Sequence, residues 1–277
     1  MSAVRANNKR EFAYGKEDFE KVRVYLVERA GIKLSDGKDA LVYSRLARRI
    51  RALRLQSFNA YLAYLDANED ELENFVNALT TNLTAFFREP HHFDALAEFL
   101  AERKGPVKIW CAASSTGEEP YSIAMTVAQV FGRFNTPVSI VASDIDSRVL
   151  ATAKQGVYKA SSLGKVPTDL KKHFFHRGSG VNSGKVRVVK ELRDMVSFRQ
   201  INLTSPDWDI KGQLDVIFCR NVMIYFDHDT QLEVLGRMVR LMKPDGLYAA
   251  GHSENFNNQS HLVTPKGKTL YRPAKAN

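Results

Sequence analysis

The stretch Ala112-Ala-Ser-Ser-Thr-Gly-Glu-Glu-Pro-Tyr121 sets three hydroxyl residues, one glycine and two adjacent carboxylates between an apolar run and a helical one. Small residues at such a turn let a ligand approach the backbone, beyond the carboxyl end of a strand, where open α/β sheets bind their ligands. The turn is no dinucleotide fingerprint, because Gly117 is its only glycine, and a pyrophosphate gains nothing from the neighbouring Glu118 and Glu119. Two carboxylates at a helix start suit the helix dipole. They equally suit a ligand with a cationic group, and spacing alone does not separate the two. Ser143-Asp-Ile-Asp146 ends the next apolar run, with Asp144 27 residues after Gly117. That is the place where nucleotide folds put an acid on ribose hydroxyls. We read Asp144 as the ligand residue and Asp146 as the cap of the following helix.

Phe218-Cys-Arg-Asn-Val-Met-Ile-Tyr-Phe-Asp227 ends another apolar run. It places Arg220 and Asn221 at the rim shared with Asp144. Met223, Ile224 and Phe226 read as packing, and Tyr225 reads equally well as packing or as a site residue. His252, in Gly251-His-Ser-Glu254, reads as an edge-of-core histidine. Thr80 to Pro90 adds Asn82, Thr84 and Arg88; taken alone, Arg88 reads as a solvated helix residue. An adenosine-type ligand without a pyrophosphate fits this set, and S-adenosylmethionine has that form: adenosine, sulfonium and an amino-acid tail. No His, Cys and carboxylate cluster has metal-ligand spacing, and no nucleophile elbow or phosphate loop occurs.

The elements that must position these residues follow from periodicity. Residues 16–80 read as a small helical bundle: a first helix stopped near Gly31 with Phe19, Val22, Val24, Leu26 and Val27, and a second from Lys38 to Leu55 striped by Val42, Leu46, Ile50 and Leu53. A third runs from Phe58 to Asp66 behind Ser57 as N-cap, and a fourth starts near Asn68. After a helix over 91–103, strands at Val107, Val138, Val196, Leu214 and Gly246 alternate with helices at Pro120–Phe131, Ser147–Lys154 and His228–Met242. Alternation of this kind predicts a parallel sheet covered on both faces. Residues 156–195, with the glycine-spaced turn Gly178–Gly184, read as an inserted hairpin subdomain, and 262–272 as a closing hairpin.

The chain has 277 residues and a formal charge of +9, room for two domains. Residues 1–56 hold 14 Lys/Arg and 7 Asp/Glu, so most of the excess is N-terminal; it favours acidic partners. The first ten residues lack a signal-peptide core, no run of 18 apolar residues occurs, and Cys111 and Cys219 sit in apolar runs. A cytoplasmic protein with reduced, buried thiols is expected.

The segments TTNLTAFFREPHHF, ASSTGEEPYSIAM, ASDID, FCRNVMIYFD, KPDGL and GHSENF, in this order and spacing, closely resemble the CheR-type chemotaxis receptor methyltransferase family, from about residue 16 to the end. The resemblance implies a class I S-adenosylmethionine methyltransferase fold, a Rossmann-like and mostly parallel α/β sheet. Residues 1–80 would form a helical receptor-docking domain, 81–90 a linker contributing to the cofactor site, and 91–277 the methyltransferase domain with a β-subdomain over about 156–195. It implies that Asn82, Thr84, Arg88, Glu119, Asp144, Asn202, Leu203, Cys219 and Arg220 surround the cofactor with Asn221 beside them, and that Arg88 and Tyr225 lie near the methyl-transfer site. The implied reaction is esterification of receptor glutamates, releasing S-adenosylhomocysteine, without a metal, in sensory adaptation at receptor arrays. A monomer is the default expectation.

A glutamate carboxylate, with a pKa near 4.3, is already a nucleophile at neutral pH, so the lack of an obvious base fits this reaction, and alignment is what remains to be supplied. Tyr225 can donate to the substrate carboxylate. Arg88 can hold either the cofactor's carboxylate or the substrate's. Arg45, Arg48, Arg49 and Arg51, on the second helix with no acid among residues 45–54, read with the resemblance as the surface that docks acidic methylation helices. The Gly178–Gly184 turn and the strand after it resemble the family's tethering subdomain, where a receptor's C-terminal peptide can pair with a strand edge. A nucleic-acid methyltransferase is the main rival, but the basic run has no interleaved aromatic platform. A non-catalytic adaptor would have lost Asp144, Arg88 or Tyr225, and a nicotinamide dehydrogenase would need the missing glycine fingerprint.

Overall fold

The computed structural model describes residues 10–80 and 82–274. The first nine residues, read above as lacking a signal-peptide core, lie outside the described residues, as does Thr81. The chain forms two compact units, Met1–Thr81 and Asn82–Asn277.

The first unit holds helices α1 (Lys16–Ala30), α2 (Asp39–Ala52), α3 (Phe58–Ala67) and α4 (Glu69–Leu79). Gly31 ends α1 in the left-handed region at φ 67°, its N–H on Val27 O, a conformation glycine adopts without strain. Ser57 Oγ accepts from Ala60 N at 3.1 Å and caps α3. Phe19, Val22, Leu26, Val42, Leu46, Ile50, Phe58, Tyr61, Phe75 and Leu79 form the core. Val24 and Val27 do not join it, at 55% and 37% exposed, because 3.6-residue periodicity turns both away from the face carrying Val22 and Leu26.

Two of the four arginines read as docking residues also hold the bundle together. Glu71, buried on α4, accepts from Arg49 Nε and Nη2 at 2.8 and 2.6 Å and from Tyr61 Oη at 2.9 Å. Arg45 Nη1 donates to Ala78 O and Thr80 O at 3.0 and 2.6 Å, satisfying carbonyls at the end of α4. Lying one helical turn apart beside the apolar stripe of α2, both side chains are drawn onto α4. Arg51 pairs with Glu11, and Arg48 is exposed.

The second unit begins with α5 (His91–Ala101), β1 (Val107–Cys111), α6 (Glu118–Phe131), β2 (Val138–Asp144) and α7 (Ser147–Gln155). Next come β3 (Val157–Lys159), α8 (Thr168–Phe174), β4 (Phe175–Arg177), β5 (Lys185–Val188) and α9 (Lys190–Asp194). It ends with β6 (Val196–Gln200), β7 (Leu214–Cys219), α10 (His228–Arg240), β8 (Met242–Ala250), β9 (Val263–Gly267) and β10 (Leu270–Pro273). The main sheet has the order β6-β2-β1-β7-β8-β10-β9. The five strands β6 to β8 run parallel, and the closing hairpin adds β10 antiparallel to β8 and β9. The order reverses between β1 and β7, so the crevice beyond their carboxyl ends is the topological switch point.

Strands β3, β5 and β4 make a separate antiparallel sheet in the order β3-β5-β4. Its Tyr158, Phe175, Val186 and Val188, with Phe174 of α8, join one apolar core with Ile109, Val216 and Phe218 of the main sheet. At Gly178, which opens the β4–β5 turn, a Cβ would lie 2.2 Å from Asn182 O, so glycine is required.

Removing one partner of a buried ion pair costs more than the pair itself contributes. Arg49→Ala is therefore expected to destabilise the first unit by about 2–4 kcal/mol, and Arg48→Ala by less than about 0.5 kcal/mol. Urea unfolding of both variants, followed by circular dichroism, measures the difference.

Candidate active site

The rim at the carboxyl ends of β1 and β2 is tied together by one carboxylate. Asp144, buried, accepts from Ser115 N at 2.8 Å on Oδ2 and from Asp146 N at 3.0 Å on Oδ1. Burial pushes its pKa up, and backbone N–H groups of Asp146, Ser115 and Ile145 oppose the rise. With three backbone N–H donors on its four lone-pair sites, the carboxylate keeps capacity for a hydroxyl donor. Asp146 is the cap of α7, its Oδ1 accepting from Arg148 N at 2.9 Å. Asn82 reaches the same rim. Its Nδ2 donates to Asp146 Oδ2 at 3.3 Å, and its carbonyl accepts from Ser115 Oγ at 3.1 Å. The β1–α6 turn closes tightly, with Gly117 at φ 99° and a virtual Cβ 2.8 Å from both Ala153 Cβ and Tyr158 Oη. Tyr158 Oη donates to Thr116 O at 2.8 Å and anchors the turn to β3.

A second knot centres on Arg220 at the end of β7. Its guanidinium, 4% exposed, donates from Nη1 to Glu119 Oε2 at 2.6 Å and from Nη2 to Arg88 O at 2.7 Å. Nη2 also stands 3.0 Å from Glu89 Oε2 as an ion pair. Burial alone would lower the Arg220 pKa, but Glu119 and Glu89 reverse this and hold it raised. Burial raises Glu119, with Arg220 opposing. Cys111 Sγ sits 3.4 Å from Glu119 Oε1. Glu119 is thus neither a helix cap nor a free counter-charge for a cationic ligand. Glu118 accepts from Thr116 Oγ1 at 2.6 Å. Arg88 is not a solvated helix residue either. It sits in a turn, one third exposed, with Nη1 donating to Leu83 O at 3.0 Å.

Asn202 and Leu203 are brought to Asp144 by the backbone, since Ile201 N donates to Asp144 O at 3.0 Å. Asn202 Oδ1 accepts from Thr204 N and Oγ1 at 3.0 and 2.9 Å, and Leu203 is buried. Cys219 is buried with its thiol pushed well up by burial. Asn221 sits in the left-handed region at φ 58°, and Tyr225 is half-buried at the end of a short 3₁₀ turn, Met223–Tyr225. Thr84 is half-buried on the segment before Arg88. Arg45, Arg48, Arg49 and Arg51 belong to the first unit. His252, read as an edge-of-core histidine, is exposed on the loop after β8.

Sequence reasoning missed three residues here. Glu254 is buried, and its carboxylate accepts backbone N–H groups of Gly251, Asn221, Val222 and Met223. Glu89 and His92 were hidden by their prominent neighbour Arg88. With His91 they bring ligand-type atoms within 4.8 Å of one another, a cluster the sequence spacing did not suggest. Arg220 already neutralises Glu89 there and opposes a cation. Burial, with the charges of Arg220 and His91, pushes the His92 pKa down from 6.5 to about 4.

Residues 82–271 match the CheR methyltransferase SAM binding domain and residues 17–80 the CheR methyltransferase all-alpha domain. The chain is 58% identical over 267 residues to chemotaxis protein methyltransferase 2 of Pseudomonas aeruginosa, covering 95% of each chain. It is 48% identical over 259 residues to the chemotaxis protein methyltransferase of Salmonella typhimurium, covering 93% of this chain and 90% of that one.

His92 yields a pH prediction. Its folded pKa lies below its unfolded value, so the stability it contributes is full above pH 6.5 and is lost as pH falls towards 4. Urea titrations of wild type and His92→Gln should show wild type losing roughly 2–3 kcal/mol more than the variant between pH 7 and pH 4.5. Equal losses would contradict the assignment.

Proposed function

The chain belongs to the CheR methyltransferase family, and from that premise we propose that it methylates glutamate side chains of chemotaxis receptors, using S-adenosylmethionine. The observation that carries this reading is the buried Asp144 at the carboxyl end of β2, next to the switch point, with acceptor capacity left on its carboxylate. The donor set fits the cofactor's adenosine part. Asp144 would take the ribose hydroxyls, Asn202 and Leu203 would flank the base, and Asn82, Thr84 and Arg88 would lie towards the amino-acid tail. When bound, S-adenosylmethionine supplies a methyl group on a sulfonium.

The protein's own residues supply alignment. A glutamate of the receptor arrives ionised, so no proton has to be removed before attack. This matches a rim whose carboxylates are already engaged. Glu119 is paired with Arg220, Glu254 is filled by backbone N–H groups, and Asp144 holds three more. Tyr225 would donate to the incoming carboxylate, and Arg88 would hold that carboxylate or the cofactor's. The attacking oxygen takes the methyl group and the product ester is neutral. Arg48 and Arg51, the outward basic side chains of α2, would meet acidic methylation helices. A receptor's C-terminal peptide would pair with the edge of the small sheet, and the enzyme would act as a monomer recruited to receptor arrays.

The test is methyl transfer from radiolabelled S-adenosylmethionine to receptor-containing membranes. Base-labile label on the receptor, reduced at least about 100-fold in Asp144→Ala and about 10-fold in Tyr225→Phe, is expected. Cofactor binding without receptor labelling would move the substrate to another protein or to nucleic acid.

A further inference from the structure

Tyr225 lies in a stretch of the rim that side chains hold at its main chain on both sides. On its N-terminal side, Glu254 Oε1 accepts from Val222 N and Met223 N at 2.9 and 2.8 Å, and Oε2 accepts from Asn221 N and Gly251 N at 3.0 and 2.5 Å. Three successive N–H groups converging on one carboxylate form an anion nest, here filled from within the protein. The nest requires Asn221 at φ 58°, an arrangement that non-glycine residues adopt only when surrounding contacts enforce it. At Gly251 a Cβ would lie 2.4 Å from Asn221 Nδ2, so the end of β8 can press against the loop only as glycine. On the C-terminal side, Gln231 of α10 donates from Nε2 to Met223 O and Phe226 O at 2.9 and 3.0 Å. The turn Met223–Tyr225 therefore hangs between two fixed points, one on the loop after β8 and one on α10.

We propose that Glu254 and Gln231 are positioning residues for methyl transfer, which set where the Tyr225 hydroxyl meets the substrate carboxylate. This rests on the role given to Tyr225 above. Neither residue need touch substrate or cofactor. Glu254 fixes the backbone entering the turn, and Gln231 fixes the backbone leaving it. Displacement of a reacting group by about 1 Å can cost 100-fold in rate, so a loosened turn would lower kcat and leave receptor KM nearly unchanged. Glu254→Gln keeps the shape of the side chain. It replaces one acceptor oxygen by an NH2 group that faces N–H donors, so the nest loses two of its bonds.

The experiment is a double-mutant cycle on the full-length enzyme, measuring kcat on receptor membranes for Glu254→Gln, Gln231→Met, Tyr225→Phe and both double variants. Each positioning variant alone should lose about 10-fold or more in kcat and keep S-adenosylhomocysteine affinity within about 3-fold. In the Tyr225→Phe background each should cost less than about 2-fold. An equal loss in both backgrounds overturns the proposal while leaving the role of Tyr225 intact. A silent Tyr225→Phe overturns that role and this proposal with it. If Glu254→Gln does not fold, the Gln231→Met cycle decides alone.

Discussion

The second unit turns on a buried cation. Arg220 enters the interior at the end of β7 and must be neutralised there, since a guanidinium without partners is several kcal/mol too costly to bury. Its three partners come from two distant segments: Glu119 at the start of α6, and Glu89 with the carbonyl of Arg88 on the turn before α5. The fork of the guanidinium allows one group to satisfy all three at fixed angles. The strand end, the helix start and the turn carrying Arg88 are thereby held in register. The chain immediately after Arg220 folds back into the Glu254 nest, which carries the same order on to the turn bearing Tyr225.

The buried carboxylates share one pattern. Asp144, Glu119 and Glu254 each have a pKa raised by burial, and each is opposed by specific donors. Glu254 is filled by backbone N–H groups, Asp144 is held by them with acceptor capacity left, and Glu119 is paired with Arg220. Their work is to fix loops at strand ends. An enzyme that had to strip a proton from an amine would need a poised base at this rim. A glutamate acceptor needs geometry alone, and geometry is what these carboxylates provide.

Much of the fold was legible because it is written locally. The period-3.6 stripe of α2, the Ser57 cap and the stop at Gly31 are each contained within a few residues. The glycine-spaced turn announced the small antiparallel sheet for the same reason. What the reading missed were contacts at a distance. Arg45 and Arg49 looked like surface charge because Glu71 and the end of α4 lie more than 20 residues away in the chain. Glu254 was invisible as a clamp because three of its four donors are 31 to 33 residues upstream. Glu118 and Glu119 looked equivalent, and only the position of Arg220 separates their environments. Asp144 was readable because its place follows from a strand end, a rule that needs no knowledge of partners.

Calorimetric titration of S-adenosylhomocysteine into Arg220→Lys tests the central claim most directly. Lysine keeps the charge and loses the fork, so it cannot hold Glu119 and the Arg88 carbonyl together. If Arg220 organises the cofactor site, affinity falls by about 10-fold or more while circular dichroism still reports a folded protein. Wild-type affinity in a folded Arg220→Lys would show that the site assembles without the knot, and would contradict the account.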